Sequence, residues 1–154
     1  MLSDDVYRAK LRSTVNGLKT AAAPFADVAE VEITESADYS RLSMIPRTAG
    51  ACPVEIMLRS DQQFDIALGA EFYEDCRLDR LELFEPLIQA VTSGNVIQRH
   101  YISTATGTEQ AVETIVTLPD GSHWHKGHVL TRMANALSGG RALFEDRRFL
   151  PYRR

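Results

Sequence analysis

Cysteine and lysine are scarce in this chain. Only Cys52 and Cys76 occur in its 154 residues, and they belong to no C-x-x-C unit. They suffice for one bridge at most, and buried thiols in a reducing compartment are the expected state. No run of about 18 apolar residues exists, so no membrane-spanning helix is expected. The opening MLSDDVYRAKL carries two acids where a secretion leader needs a basic start, so a cytoplasmic location is expected. There is no G-x-S-x-G, no phosphate loop, no G-x-G-x-x-G after a strand, no H-E-x-x-H and no D-x-D-x-D-G run. Those absences remove the common sequence routes to a hydrolase, a nucleotide site, a zinc protease or a Ca²⁺ loop. No cofactor is expected.

What is present describes an ordinary globular chain. Hydrophobic residues make up 44% and charged residues 25%, which argues against wholesale disorder. A single domain over residues 1–154 is expected at this length. The net charge is -4, and three lysines stand against fourteen arginines. An acidic chain is a poor electrostatic match for nucleic acid, so no nucleic-acid partner is expected. The charge is uneven. Residues 141–154 hold five arginines against Glu145 and Asp146, a local +3 that leaves -7 for the rest. Phe144, Phe149 and Tyr152 interleave those arginines, so this basic tail is expected to dock on its own domain or on a neighbouring subunit.

Periodicity sets out the elements. Residues 3–22 read as a helix with Ser3 at its cap, Asp4 and Asp5 at the positive end of its dipole, and Pro24 beyond its end. Its stripe is Tyr7, Leu11, Val15, Leu18 and Ala22. Alternation then predicts strands at 29–34, 40–44, 54–58 and 64–72, the last with Phe64, Ile66, Leu68, Ala70 and Phe72 on one face. Helical spacing returns over 78–91, with Pro86 kinking the helix or opening its second segment and Gly94 ending it. Three more strands are predicted at 96–105, 111–118 and 122–131, with Asp120-Gly121 turning a hairpin. A short helix over 132–137 ends at Gly139-Gly140. The predicted class is α+β, with one antiparallel sheet of about seven strands and two main helices on one face.

Ser122-His123-Trp124-His125-Lys126-Gly127-His128 gathers three of the four histidines into six residues. A strand puts His123 and His125 on one face, where neutral imidazoles can share an ion, and puts His128 on the other. The H-x-H-x-x-H spacing resembles the H-x-H-x-D-H signature of metallo-β-lactamases over these six residues. It departs from that signature at Gly127, and no histidine follows His128, so membership is rejected. A hairpin arm with solvent-facing histidines around a packing Trp124 is the preferred reading, with no metal bound. A bulge at Gly127 is what would bring His123, His125 and His128 to one ion.

The candidate ligand-binding residues are His100, Tyr101, His123, Trp124 and His125. A histidine beside Glu113 or Asp120 would make an acid–base pair. Cys52 lies in a small-residue loop with no visible base, and Cys76 follows two acids that oppose a thiolate. Glu71, Glu74, Asp75, Asp79, Glu82 and Glu85 form an acidic band, read as a solvated helix face or as a docking surface for a basic partner. The preferred function is a non-catalytic binding or interaction module, possible as an inhibitor or immunity-like protein, with a protein partner or self-association. The alternatives are a small-molecule binder or enzyme with a pocket lined by Phe64, Phe72, Tyr101, Trp124 and histidines, and a metal protein using the histidine arm. Neither a membrane nor a nucleic acid is among the expected partners.

Overall fold

A computed structural model describes residues 1–129 and 142–153. Helix α1 (Asp4–Ala22) leads into a 3-10 turn at Ala23–Phe25. Five strands follow: β1 (Ala29–Glu35), β2 (Tyr39–Pro46), β3 (Val54–Arg59), β4 (Gln63–Leu68) and β5 (Glu71–Arg77). A 3-10 turn at Leu81–Leu83 precedes α2 (Phe84–Thr92). The chain continues through β6 (Val96–Ser103), β7 (Glu109–Thr117), β8 (His123–Val129) and β9 (Ala142–Arg148). The helix expected over 132–137 and its glycine stop lie outside the described residues.

The class is α+β with antiparallel sheets, but a single sheet of about seven strands is not what forms. There are two sheets, ordered β1-β2-β3-β4-β5 and β8-β7-β6-β9. Two features raise the number of strands among the described residues to nine. The strand expected over 64–72 turns back on itself at Gly69-Ala70, where Leu68 pairs with Glu71 and Gly69 has φ +61°. A glycine at the first position of a two-residue loop is the signature of a type II′ hairpin. The reversal puts Phe72 opposite Ala67 and out toward solvent, away from the buried face that holds Leu68. The second feature is the tail, whose residues 142–148 add β9 beside β6.

Alternation explains the main core. Leu42, Met44, Val54, Ile56, Leu58, Phe64, Ile66 and Leu68 are all buried in one row across β2 to β4. That row joins one cluster with Tyr7, Val15, Leu18 and Ala22 of α1 and with Phe84, Leu87, Ile88 and Val91 of α2. Ser3 occupies the cap position of α1, yet its hydroxyl makes no capping bond. The expected 78–91 helix is shortened to α2 behind a 3-10 turn, and Pro86 falls in its first turn, where a missing amide costs no helical bond. Its end is a Schellman motif: Asn95 N donates to Ala90 O at 2.9 Å and Gly94 N to Val91 O at 3.1 Å, with Gly94 at φ +81°. Among the described residues no helix is long and apolar enough to cross a membrane.

The closing residues are held by specific bonds. Tyr152 is 1% exposed, and its hydroxyl donates to Cys52 O at 2.6 Å. Its amide donates to Thr92 O, its carbonyl accepts from Thr48 Oγ1, and its ring meets Phe25 edge-on. Leu150 bridges Ala51 in parallel, and the chain runs so close over Gly94 that a Cβ there would meet Pro151 N at 2.7 Å. Arg153 completes the contact with an exposed ion pair to Asp27 at 2.8 Å. Burial of the ring and its hydroxyl should dominate this segment. Tyr152→Ala should lower unfolding free energy by about 3–5 kcal/mol, while Arg153→Ala, which removes only an exposed ion pair, should have a far smaller effect. Urea denaturation of the two variants checks this, and equal losses would show the ranking to be wrong.

Candidate functional site

The four-stranded sheet has an inner and an outer face, and strand alternation assigns its polar residues to them. Inward go Val96, Gln98, Val112, Thr114 and Val116, all buried. Gln98 Nε2 donates to Leu68 O at 2.7 Å and lies 3.3 Å from Thr114 Oγ1. The Tyr73 hydroxyl reaches the same Thr114 oxygen at 2.7 Å. These buried groups join the two sheets, since Leu68 and Tyr73 belong to β4 and β5 while Gln98 and Thr114 belong to β6 and β7.

That alternation divides the histidines. His128 faces inward, where Nε2 donates to Phe72 O at 2.7 Å and the ring stacks on Tyr73 at 4.4 Å and 11°. Trp124 shares that face, half-buried and edge-on to Tyr73 at 6.2 Å. His123 and His125 face outward: His123 Nδ1 sits 3.1 Å from Thr117 Oγ1, and His125 Nδ1 lies 3.7 Å from Glu113 Oε1. His100 contacts Glu109 across the β6–β7 pair, and Asp120 is occupied by Ser122. Among the described residues no group of three or more His, Cys, Asp or Glu side chains is placed to hold a metal ion.

The structure does bring Tyr101, Glu113 and His125 together on the outer face. The Tyr101 hydroxyl donates to Glu113 Oε2 at 3.1 Å, so one carboxylate receives both groups. Beside them Arg99 holds Asp146 through two bonds of 2.8 and 3.0 Å and lies 4.3 Å from the Phe144 ring centroid. That guanidinium keeps the Asp146 carboxyl below its usual range. His125 is 68% exposed, so this cluster lies on an open sheet face with no wall to exclude water. Trp124, His123 and Phe64 meet elsewhere, in a cleft of about 250 Å³ closed by Arg80, Leu83 and Leu118. Phe72 and Tyr101 do not line that cleft.

A larger cleft, of about 620 Å³, opens where the start of α1 meets the β3–β4 turn and the chain leaving β5. Four carboxylates line it, Asp61, Asp75, Asp79 and Glu82, against Lys10 and Arg77. Leu2, Leu78 and Leu81 supply an apolar wall. The acidic band is therefore no helix face: Glu71, Glu74 and Asp75 lie on β5, Asp79 and Glu82 on the connection, and Glu85 on α2. Arg59 organises one side of the cleft. Its guanidinium contacts Asp75, reaches Asp61 at 2.6 Å and Asp65 at 3.4 Å, so three carboxylates share one cation.

Backbone geometry sharpens the same corner. Gln62 (φ +62°) and Asp75 (φ +52°) are the non-glycine residues with positive φ among those described, and both line the large cleft. Asp75 sits where the β4–β5 register shifts, and its amide donates to Asp65 Oδ1 at 2.8 Å. Gln62 exchanges two side-chain bonds with the backbone of Leu2, at 3.0 and 2.7 Å, and so fixes the amino end at the rim. Sequence periodicity missed this site because its residues come from separate turns. The acidic band held three of its four carboxylates, Asp75, Asp79 and Glu82, and the fourth, Asp61, showed as part of the Asp61-Gln62-Gln63 turn. Comparison of the chain with protein-family models, curated proteins and solved structures finds no significant match.

The cysteines sit apart from this cleft. Burial pushes the Cys52 thiol up to about 12, and burial likewise raises Cys76. A thiol held in its neutral form is a weak nucleophile. Burial, helped by the nearby Asp61 charge, also pushes the Tyr7 hydroxyl up to about 12, where it donates to Arg59 O at 2.5 Å. Raised folded-state values mean that the folded chain holds these protons more tightly than the unfolded chain. Their stabilising contribution should be complete below the ordinary thiol and phenol values and be lost as pH rises toward about 12. Thermal melts across that alkaline window should show falling stability, and Cys52 should resist thiol reagents until unfolding. Rapid native-state labelling of Cys52 would contradict both expectations.

Proposed function

We propose that this chain is a non-catalytic interaction module that receives a basic segment of a protein partner in the 620 Å³ cleft. The observation that carries this reading is the cleft's lining of four carboxylates against two cations beside an apolar wall. Arg77 pairs with Asp79 at 2.8 Å, and the remaining excess of carboxylates in a concave site attracts the opposite sign, while the leucines offer contact area for an apolar anchor. An inhibitor or immunity-type role follows the same chemistry, with the cleft covering a basic functional surface of the partner. Gln62 and Leu2 support it by holding the rim in place before binding.

The test uses a fluorescent peptide of alternating Arg and Leu, with a Glu–Leu peptide as control. Anisotropy should report binding of the basic peptide alone, weakening as salt is raised. The double variant Asp79→Asn with Glu82→Gln, which leaves the Arg59 contacts intact, should bind it roughly ten-fold more weakly, a loss of about 1.4 kcal/mol. Equal binding of both peptides, or none of either, would sink this reading.

A second reading has an observation of its own. The smaller cleft sets Trp124 and His123 beside Phe64 and Arg80, a lining suited to a small aromatic anion. Concentration-dependent quenching of the single tryptophan by such a compound, lost in Arg80→Ala, would favour it over the acidic cleft.

A further inference from the structure

Among the described residues no strand pairs with the outer edge of β9 over Ala142–Arg148, while β6 occupies its other side; just beyond, at Leu150, that edge meets the Gly50–Ala51 loop. Phe149 N donates to Val96 O at 3.2 Å, continuing the β6–β9 ladder by one residue. In an antiparallel ladder, successive residues direct their N–H and C=O to opposite sides. Residues 145 and 147 therefore bond toward β6, while Phe144, Asp146 and Arg148 present amide and carbonyl groups to the free edge. Leu143 is 63% and Phe144 55% exposed, two large apolar side chains on one short edge strand. An edge of this kind is a template for another strand.

We propose that β9 pairs with β9 of a second copy of this chain, antiparallel about a two-fold axis at Asp146, joining the two four-stranded sheets into one. This rests on neither cleft. The occupant is identified by self-complementarity. A two-fold axis normal to the sheet keeps each side chain on its own face only when it passes through a residue position. At Asp146 it sets Glu145 opposite Arg147 of the second copy and Phe144 opposite Arg148 of the second copy, each twice. The one like-charge pair is Asp146 with itself, and each of those carboxylates already carries two bonds from its own Arg99. An axis at Glu145 would oppose two glutamates, and one at Arg147 would oppose two arginines. An axis at Phe144 brings no opposite charges together within β9, setting Leu143 opposite Glu145 and Ala142 opposite Asp146.

Charged residues on edge strands usually discourage pairing. Here their order repels unrelated strands and accepts a copy of itself, because opposite charges across strands attract and like charges repel. One strand pair buries less than the roughly 1,200 Å² of a standard interface, so the dimer should be weak and concentration-dependent.

Sedimentation equilibrium of the full chain tests this, with circular dichroism confirming that each variant folds. The mass should rise from one chain toward two with concentration. Glu145→Arg and Arg147→Glu alone should each weaken the dimer by roughly ten-fold or more, since each converts two attractive pairs into repulsive ones. The double variant restores the pairs with signs exchanged and should recover the dimer. Phe144→Pro is the second probe: it removes an amide that faces the open edge while leaving the bonds to β6, and should give a folded monomer. A monomer at every concentration overturns the proposal. So does a dimer indifferent to Phe144→Pro, or a double charge exchange that fails to restore association.

Discussion

The Thr114 hydroxyl is the point on which the arrangement of the two sheets depends. It is fully buried, and it meets both the Tyr73 hydroxyl at 2.7 Å and the Gln98 carboxamide at 3.3 Å. Polar groups withdrawn from water cost about 1–3 kcal/mol each when left unpaired, so this trio is stable only in the register that satisfies all of them. Among the described residues no buried side-chain nitrogen or oxygen lacks a partner. Hydrophobic burial alone would let the four-stranded sheet slide against β4 and β5. The Gln98 bond to Leu68 O stops that slide, and His128 adds a second clamp through Phe72 O. The joint then dictates which residues face outward: with Gln98 and Thr114 turned in, Arg99, Tyr101, Glu113 and His125 must turn out.

Much of the local structure was legible in the sequence, and the reasons are physical. Side chains alternate along a strand whatever it pairs with, so the buried rows through Leu42, Val54, Ile56 and Ile66 show as period two. The helical stripe of Val15, Leu18 and Ala22 shows in the same way. The division into two sheets did not show. Phe64 to Phe72 alternates in sequence, yet the two-residue hairpin shifts the period by one, so Tyr73 rather than Phe72 shares the face of Leu68, and only Gly69 marks the reversal. The tail strand was hidden for another reason. ALFEDRR has no clean alternation, since β9 is an edge strand with both faces largely exposed and only its pairing with β6 makes it a strand. Sequence pattern reports burial, and β9 has little to report.

The candidate site was less legible, and the histidine arm shows why. Three histidines within six residues look concentrated, but the pleat sends His128 to the joint and leaves His123 and His125 outside. Closeness in sequence is separation in space when the element is a strand. Glu113 shows the converse, collecting Tyr101 from β6 and His125 from β8 because it lies on the strand between them. The acid–base pairing of a histidine with Glu113 was readable as a possibility, and it was His125 rather than His100 that met it. No spacing rule could name that partner without the sheet order.

The large cleft carries the same lesson into charge. Asp61, Asp65 and Asp75 come from a turn, a strand and a register shift, and only the fold gathers them around Arg59. One guanidinium cannot neutralise three carboxylates, so Arg59 leaves an excess of negative charge among its partners that Lys10 and Arg77 of the cleft offset only in part. Asp75 stays there at a backbone angle that a non-glycine residue adopts at some cost, and its own amide is tied to Asp65. Together with the Gln62–Leu2 clamp these carboxylates make the corner a preorganised, negatively charged wall. Such a wall gains most when a cation arrives from outside, because the repulsion it relieves is already present before binding.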